Sequence, residues 1–355
     1  MTDTVISRLP ADRVAEVREI ILAAFPETVP PAAADLLLPK SYFRPMDYES
    51  MNQSGEKFDG KIWQSLTPEF LANNWASYCY LSRQGYRYYL PALLMEALHT
   101  EAGQNFQHSV VFSLLPSFAA LYFNSGKDQD FDEQTALFTE GQFKAVAAFL
   151  GLFFDFAPSL KFLSAKALRW GWNQVPSQAL DKVLEYYKEL HNYDWPQAKE
   201  PEARALVEMI KAAFEDTPVP KREEMCTERL GDEPSEYAME FFGLDWRRLH
   251  PEFLDRESAS LSFLAAPAFR YFLPAYLIYD LTEPHSSQAD PIFSLTWTLV
   301  GEEKPELKAY MLKKLSLFNK QERRAIAAYL EYKAAREPSE SAGIEAVLRL
   351  YWKQD

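Results

Sequence analysis

The sequence predicts a mainly α-helical protein made of two tandem homologous helical halves. Three observations carry that expectation. The stretch Tyr86-Arg87-Tyr88-Tyr89-Leu90-Pro91-Ala92 returns 183 positions later as Phe269-Arg270-Tyr271-Phe272-Leu273-Pro274-Ala275. Glycine is scarce, at 12 of 355 residues, and Ala, Leu and Glu are plentiful. That composition suits helices better than a turn-rich sandwich. Around each anchor the apolar residues fall three and four apart, the period of a helix with one buried face. The expected boundaries are 1–175 for the first repeat, 176–200 for a connecting helix and linker, and 201–355 for the second repeat.

Taken in order, residues 12–25 read as a helix with Val14, Val17, Ile21, Leu22 and Phe25 inward. Its counterpart at 202–214 carries Leu206, Met209, Ile210 and Phe214, and Ile21-x-Ala-Ala-Phe25 matches Ile210-x-Ala-Ala-Phe214 at an offset of 189. The polar stretch from Pro39 to Gly60 reads as a loop. Thr67-Pro68-Glu69 is a helix start: a hydroxyl cap, a proline whose missing N–H costs nothing, and an early acid. The anchor helices follow, with Tyr86, Tyr89, Leu90, Leu93, Leu94 and Leu98 on one stripe and Phe269, Phe272, Leu273, Tyr276, Leu277 and Leu281 on the other. Each has an interior proline, Pro91 or Pro274, which removes one hydrogen bond and predicts a kink with a freed carbonyl on Arg87 or Arg270.

Downstream, Phe293-Ser-Leu-Thr-Trp-Thr-Leu299 alternates with period two, and one short strand per half is expected there and at Phe112–Leu114. Thr139-Glu-Gly-Gln142 and Asn319-Lys-Gln-Glu322 read as capping boxes opening helices near 140–155 and 320–335. Leu168-Arg169-x-x-Trp172 and Leu348-Arg349-x-x-Trp352 end the two copies. Between them, Ser177–His191 reads as an amphipathic helix with Leu180, Val183, Leu184 and Tyr187 on a face.

Acidic residues outnumber basic ones 51 to 37, a net charge of −14. That field disfavours nucleic acid and anionic membranes and points to a basic protein partner if the charge is used in binding. Two cysteines, Cys79 and Cys226, make neither a disulfide framework nor a zinc pattern. No signal core is evident, and the greasy run Ala145–Phe154 is half of a membrane span, so a cytoplasmic location is expected.

Motifs for chemistry fail their templates. Asp128-x-Asp130-x-Asp132 starts like a calcium loop, but Glu133 stands where glycine belongs and Thr139 where glutamate belongs. Glu96-x-x-His99 has di-metal spacing without a second half-site. His108, His191, His250 and His285 lack partners at metal spacing. No catalytic residue, metal or cofactor is expected from the sequence. Polar residues that align between the copies are few: Glu19 with Glu208, Glu69 with Glu252, Ser77 with Ser260, Arg87 with Arg270, Tyr88 with Tyr271, Ser113 with Ser294 and Arg169 with Arg349. Glu69 with Arg87, and Glu252 with Arg270, are eighteen residues apart in both copies. Each glutamate is expected to pair with its own arginine as a bidentate tie from the Pro-Glu turn to the anchor helix, with an anion site as the alternative role.

The Phe-Arg-Tyr-Tyr-Leu-Pro-Ala core, with the Pro-Glu turn before it and the Phe-Ser-Leu segment after it, resembles an uncharacterised bacterial family of short domains. The resemblance covers about 62–155 and 245–335. The first copy departs from it with Ser82-Arg83-Gln84-Gly85 where the second has Pro267. It implies the helical fold and no activity. The functional expectation is an acidic protein-binding module, an inhibitor or immunity-type factor; the alternative is an enzyme with a site in one half or in the cleft between them.

Overall fold

A proline-containing helix lies at the centre of each half. The computed structural model describes residues 9–39, 48–99, 103–118, 121, 129–226, 232–282, 289–300 and 305–353. The chain separates into two units, 1–185 and 186–355, and the division falls within the helix Gln178–Leu190. Among the described residues there is no β-strand, only an isolated antiparallel bridge between Leu37 and Leu81. No helix among them is long and apolar enough to cross a membrane.

In the first unit a helix at Ala11–Ala24 is followed, after Tyr48–Phe58 and Pro68–Asn74, by the anchor helix Arg83–Ala97. Then come Gln104–Ser113, Gln129–Thr135, Glu140–Phe156 and Lys161–Trp170. The second unit repeats the order: Pro201–Phe214, Asp232–Phe241, Pro251–Arg256, the anchor Ala266–Thr282, Pro291–Val300, Pro305–Leu315, Lys320–Ala334 and Pro338–Val347. A single π turn, Leu348–Trp352, ends it.

The anchor helices are buried almost all round, from Tyr86 to Leu94 except Arg87, and from Tyr271 through Tyr279. A helix apolar on every face belongs in a core. Each runs through its proline as one element. The same ring contacts recur in both units. Phe58 lies against Tyr89 at 4.8 Å and Phe241 against Phe272 at 4.9 Å. Phe138 touches Phe25, Tyr86 and Trp172, and Phe318 touches Phe214, Phe269 and Trp352. Gly60 and Gly243, the turns before the buried Trp63 and Trp246, have φ of +67° and +79°. Only glycine adopts that backbone without strain.

Several expectations are corrected. Residues 48–58 are helical, because Met51, Ser54 and Phe58 make a narrow buried stripe at helical spacing that the polar sequence around it hides. The two strand segments are helices. Asp290 accepts the Ile292 N–H at 2.8 Å and Pro291 sits at the helix start, while Ile292, Leu295, Thr296 and Leu299 are buried at three–four spacing. Period two is present in residue type but not in burial. The connecting helix buries Val183, Tyr186, Tyr187 and Leu190 and leaves Leu184 outside. Leu22 and Met209 are likewise outward, at 47% and 40% exposure.

Candidate functional site

The two arginines of the anchor do not meet the predicted glutamates. Glu69 is exposed in the first turn after Thr67, whose Oγ1 caps Phe70 N–H at 3.2 Å, and its charge serves that helix start. Glu252 accepts a hydrogen bond from Tyr186 Oη at 2.7 Å, which pushes the tyrosine's pKa up beyond the rise that burial causes. The arginines bond to the capping boxes instead. Arg87 Nε donates to Gln142 Oε1 at 3.0 Å, and that oxygen also accepts the Thr139 N–H at 3.0 Å. Arg87 Nη2 pairs with Glu27. In the second unit Arg270 donates through Nε and Nη2 to Glu322, at 2.9 and 2.8 Å. Glu322 caps Asn319 N–H at 2.8 Å and accepts Thr217 Oγ1 at 3.0 Å.

The expected tie from the Pro-Glu turn to the anchor helix is thus absent in both units, and each arginine is held by the third residue of a capped helix instead. The physical reason is reach. The third residue of a capped helix is already held facing inward by its own cap, whereas Glu69 stands at an exposed start. Gln142 and Glu322 are 1% and 0% exposed, so both nodes are structural ties and neither is an open anion site.

The remaining candidates also resolve into structure. His250 caps Glu252 N–H through Nδ1 at 3.0 Å, His191 lies edge-on to Phe253, and His108 stacks on Phe112. Asp130 and Asp132 lie in the first turn of Gln129–Thr135; Asp128 and His285 lie outside the described residues. Glu96 and His99 line a small pocket with Arg18 and Trp63. Burial raises the Glu96 pKa against the opposing pull of His99 and Arg18. Among the described residues no three His, Cys, Asp or Glu side chains are placed to hold a metal.

The second unit has an open groove of about 900 Å³ beside Lys320–Ala334. Lys320, Arg323, Arg324, Ala327, Ala328 and Glu331 line it. They form one stripe at helical spacing. Met209, Trp352 and Lys353 complete the lining. Lys353 is paired with Glu331. Lys320, Arg323 and Arg324 have no carboxylate partner among the described residues, although Arg323 lies over the Trp352 ring at 5.7 Å. Trp352 is 4% exposed and its indole N–H has no acceptor among the described residues, whereas Trp172 donates to Leu114 O at 2.8 Å. The π turn that carries Trp352 has no counterpart in the helix Lys161–Trp170 before Trp172.

Sequence reasoning missed this groove. Its cations are legible at helical spacing, but whether a stripe stays open depends on what packs over it. In the first unit the equivalent stripe runs Glu140, Phe143, Lys144, Ala147, Ala148 and Gly151, 180 positions earlier. There Gly151 meets Ala179 so closely that a Cβ on it would lie 2.7 Å from Ala179 Cβ, and Asp155 pairs with Lys182. The start of the helix Gln178–Leu190 thus covers that end of the stripe.

No curated protein and no solved structure matches the chain. A family of unknown function, DUF6714, matches residues 15–176 and, separately, residues 202–355. With a match over most of each half, the chain belongs to the DUF6714 family.

Proposed function

We propose that the protein is a binding module whose second unit docks an acidic amphipathic helix of a partner protein in the groove beside Lys320–Ala334. One observation carries the reading: the groove is open along a stripe that carries Lys320, Arg323 and Arg324 at one end, whereas in the first unit a helix covers the other end of the stripe, at Gly151, the counterpart of Glu331. Ala327 and Ala328 keep the middle of the stripe low, which leaves room for a helix to lie along it. Helix-in-groove recognition has this form. The net charge of −14 points to a basic partner, but the groove has the opposite local sign. Exposed charges beyond about 8 Å are largely screened at physiological salt, so the cations in contact dominate.

The test is a pair of synthetic amphipathic helical peptides with identical apolar faces, one bearing Glu and the other Lys on the flanking positions. The Glu peptide should bind the full chain, weaken with salt, and lose about tenfold or more in affinity in K320E/R324E, whose melting temperature should be unchanged because both side chains are exposed. Equal binding of the Lys peptide, or indifference to the double charge reversal, defeats the reading.

A further inference from the structure

Glu96 and His99 share a pocket of the first unit with Arg18, and all three are peculiar to that unit. The pocket, of about 200 Å³, is lined from the helix Ala11–Ala24, from Pro68–Asn74 and from the anchor helix. In the second copy the counterparts of Arg18, Glu96 and His99 are Val207, Tyr279 and Thr282. Val207 is buried, Tyr279 Oη donates to Asp255 at 2.8 Å, and Thr282 Oγ1 donates to Ile278 O at 2.8 Å. The duplication thus holds the scaffold constant while three titratable groups appear on one pocket.

None of the three side chains has a hydrogen-bond or ion-pair partner among the described residues. Arg18 and Glu96 are half-buried with their polar atoms still open to solvent, and His99 is exposed. The groups nonetheless sense one another. Burial pushes the Glu96 pKa up, and His99 and Arg18 pull against that rise.

A cation and an anion that face one pocket without meeting are satisfied together by a molecule carrying both opposite charges. A lone anion would be repelled by Glu96, and a lone cation or a metal ion by Arg18. A peptide terminus brings one of the two charges and lacks the other. Much of the remaining lining is apolar, with Leu66, Leu71 and Met95 in it, and Leu22 stands one turn from Arg18. An apolar lining with a few placed polar groups is the ordinary make-up of a small-molecule site. At about 200 Å³ the space is smaller than the roughly 300–1,000 Å³ of drug-sized sites, which suits a molecule the size of one amino acid.

We infer that this pocket binds a free α-amino acid with an apolar side chain, its carboxylate on Arg18 and its ammonium on Glu96. The site belongs to the first unit and is independent of the groove in the second.

The experiment follows the imidazole proton resonances of the full chain at fixed pH, with His99 assigned by H99Q. L-leucine should shift the His99 signal saturably. N-acetyl-L-leucine, which lacks the ammonium, and L-leucinamide, which lacks the carboxylate, should each bind at least about tenfold more weakly, the loss expected for a hydrogen bond to a charged group. R18Q and E96Q should each weaken leucine binding by a similar factor at an unchanged melting temperature, since neither side chain has a partner to lose. The inference is overturned if His99 stays still up to about 10 mM leucine, well past millimolar affinity, or if either derivative binds as well as leucine. Those comparisons use the unaltered chain, so they stand even where a variant misfolds. Full affinity for leucine in either folded variant also overturns it.

Discussion

Arg270→Ala is expected to lower the stability of the second unit by about 3–5 kcal/mol, because it leaves Glu322 ionised and buried. Glu322 is 0% exposed and holds three partners at once: the guanidinium, Thr217 Oγ1 and the Asn319 N–H. Removing the cation strips the strongest of them. Glu322→Gln should be milder, about 1–3 kcal/mol, since a neutral amide loses the charge-assisted bonds but strands no charge. The first unit already works that way, with Gln142 in the same place. Arg87→Ala should therefore cost only about 1 kcal/mol: Glu27 is part-exposed and remains solvated when its partner goes. Urea unfolding of the three variants compares them directly. Equal losses for Arg270→Ala and Arg87→Ala would show that burial of the acid is not what matters.

The second large effect is a stability that rises with pH from about 7 to about 9. Lys314 is 2% exposed, donates to Leu261 O at 2.9 Å, and has no carboxylate partner among the described residues. Its ammonium lies between the rings of Phe269 and Tyr310, at 4.8 and 4.7 Å. Burial pushes its pKa down from 10.5 to about 7. The sign follows from proton counting. Between those two values the unfolded chain holds a proton on this lysine that the folded chain has released, so stability increases with pH, by up to about 1.4 kcal/mol per unit. Below about 7 both states are protonated and the gain is absent. Above about 10 the trend reverses, because buried tyrosines such as Tyr276 and Tyr329 are held well above their ordinary value and keep protons that the unfolded chain loses. Lys314→Met should flatten the rise between about pH 7 and 9. A profile in the variant as steep as in the parent would assign the slope to other groups.

How much of this was legible follows from how far each signal reaches along the chain. Thr67-Pro68-Glu69 and the capping boxes at Thr139 and Asn319 are local, and the structure has them where the sequence placed them. The anchor helices were legible because a run such as Phe269–Leu277 is apolar on nearly every side, which no other local pattern imitates. The partner of Arg270 was not, because Glu322 lies 52 residues away and is fixed by its own cap. Tyr48–Phe58 was missed since three buried residues in eleven leave the composition of a loop. Residues 293–299 show the converse, where alternating residue types concealed helical burial. The cations of the groove were visible as letters, but openness is a property of the neighbours.

The capping boxes have a kinetic consequence. A helix cap is ordinarily the most local of structures, formed as soon as four residues turn. Here the oxygen that caps Thr139, and the carboxylate that caps Asn319, are also the acceptors of an arginine more than 50 residues upstream. The start of each long helix and the docking of the anchor helix therefore share one acceptor side chain in each unit. Docking on that acceptor within the folding nucleus is tested by Arg270→Ala, which should slow refolding as well as speed unfolding, and a mutation confined to Asn319 should partition between the two rates in the same proportion.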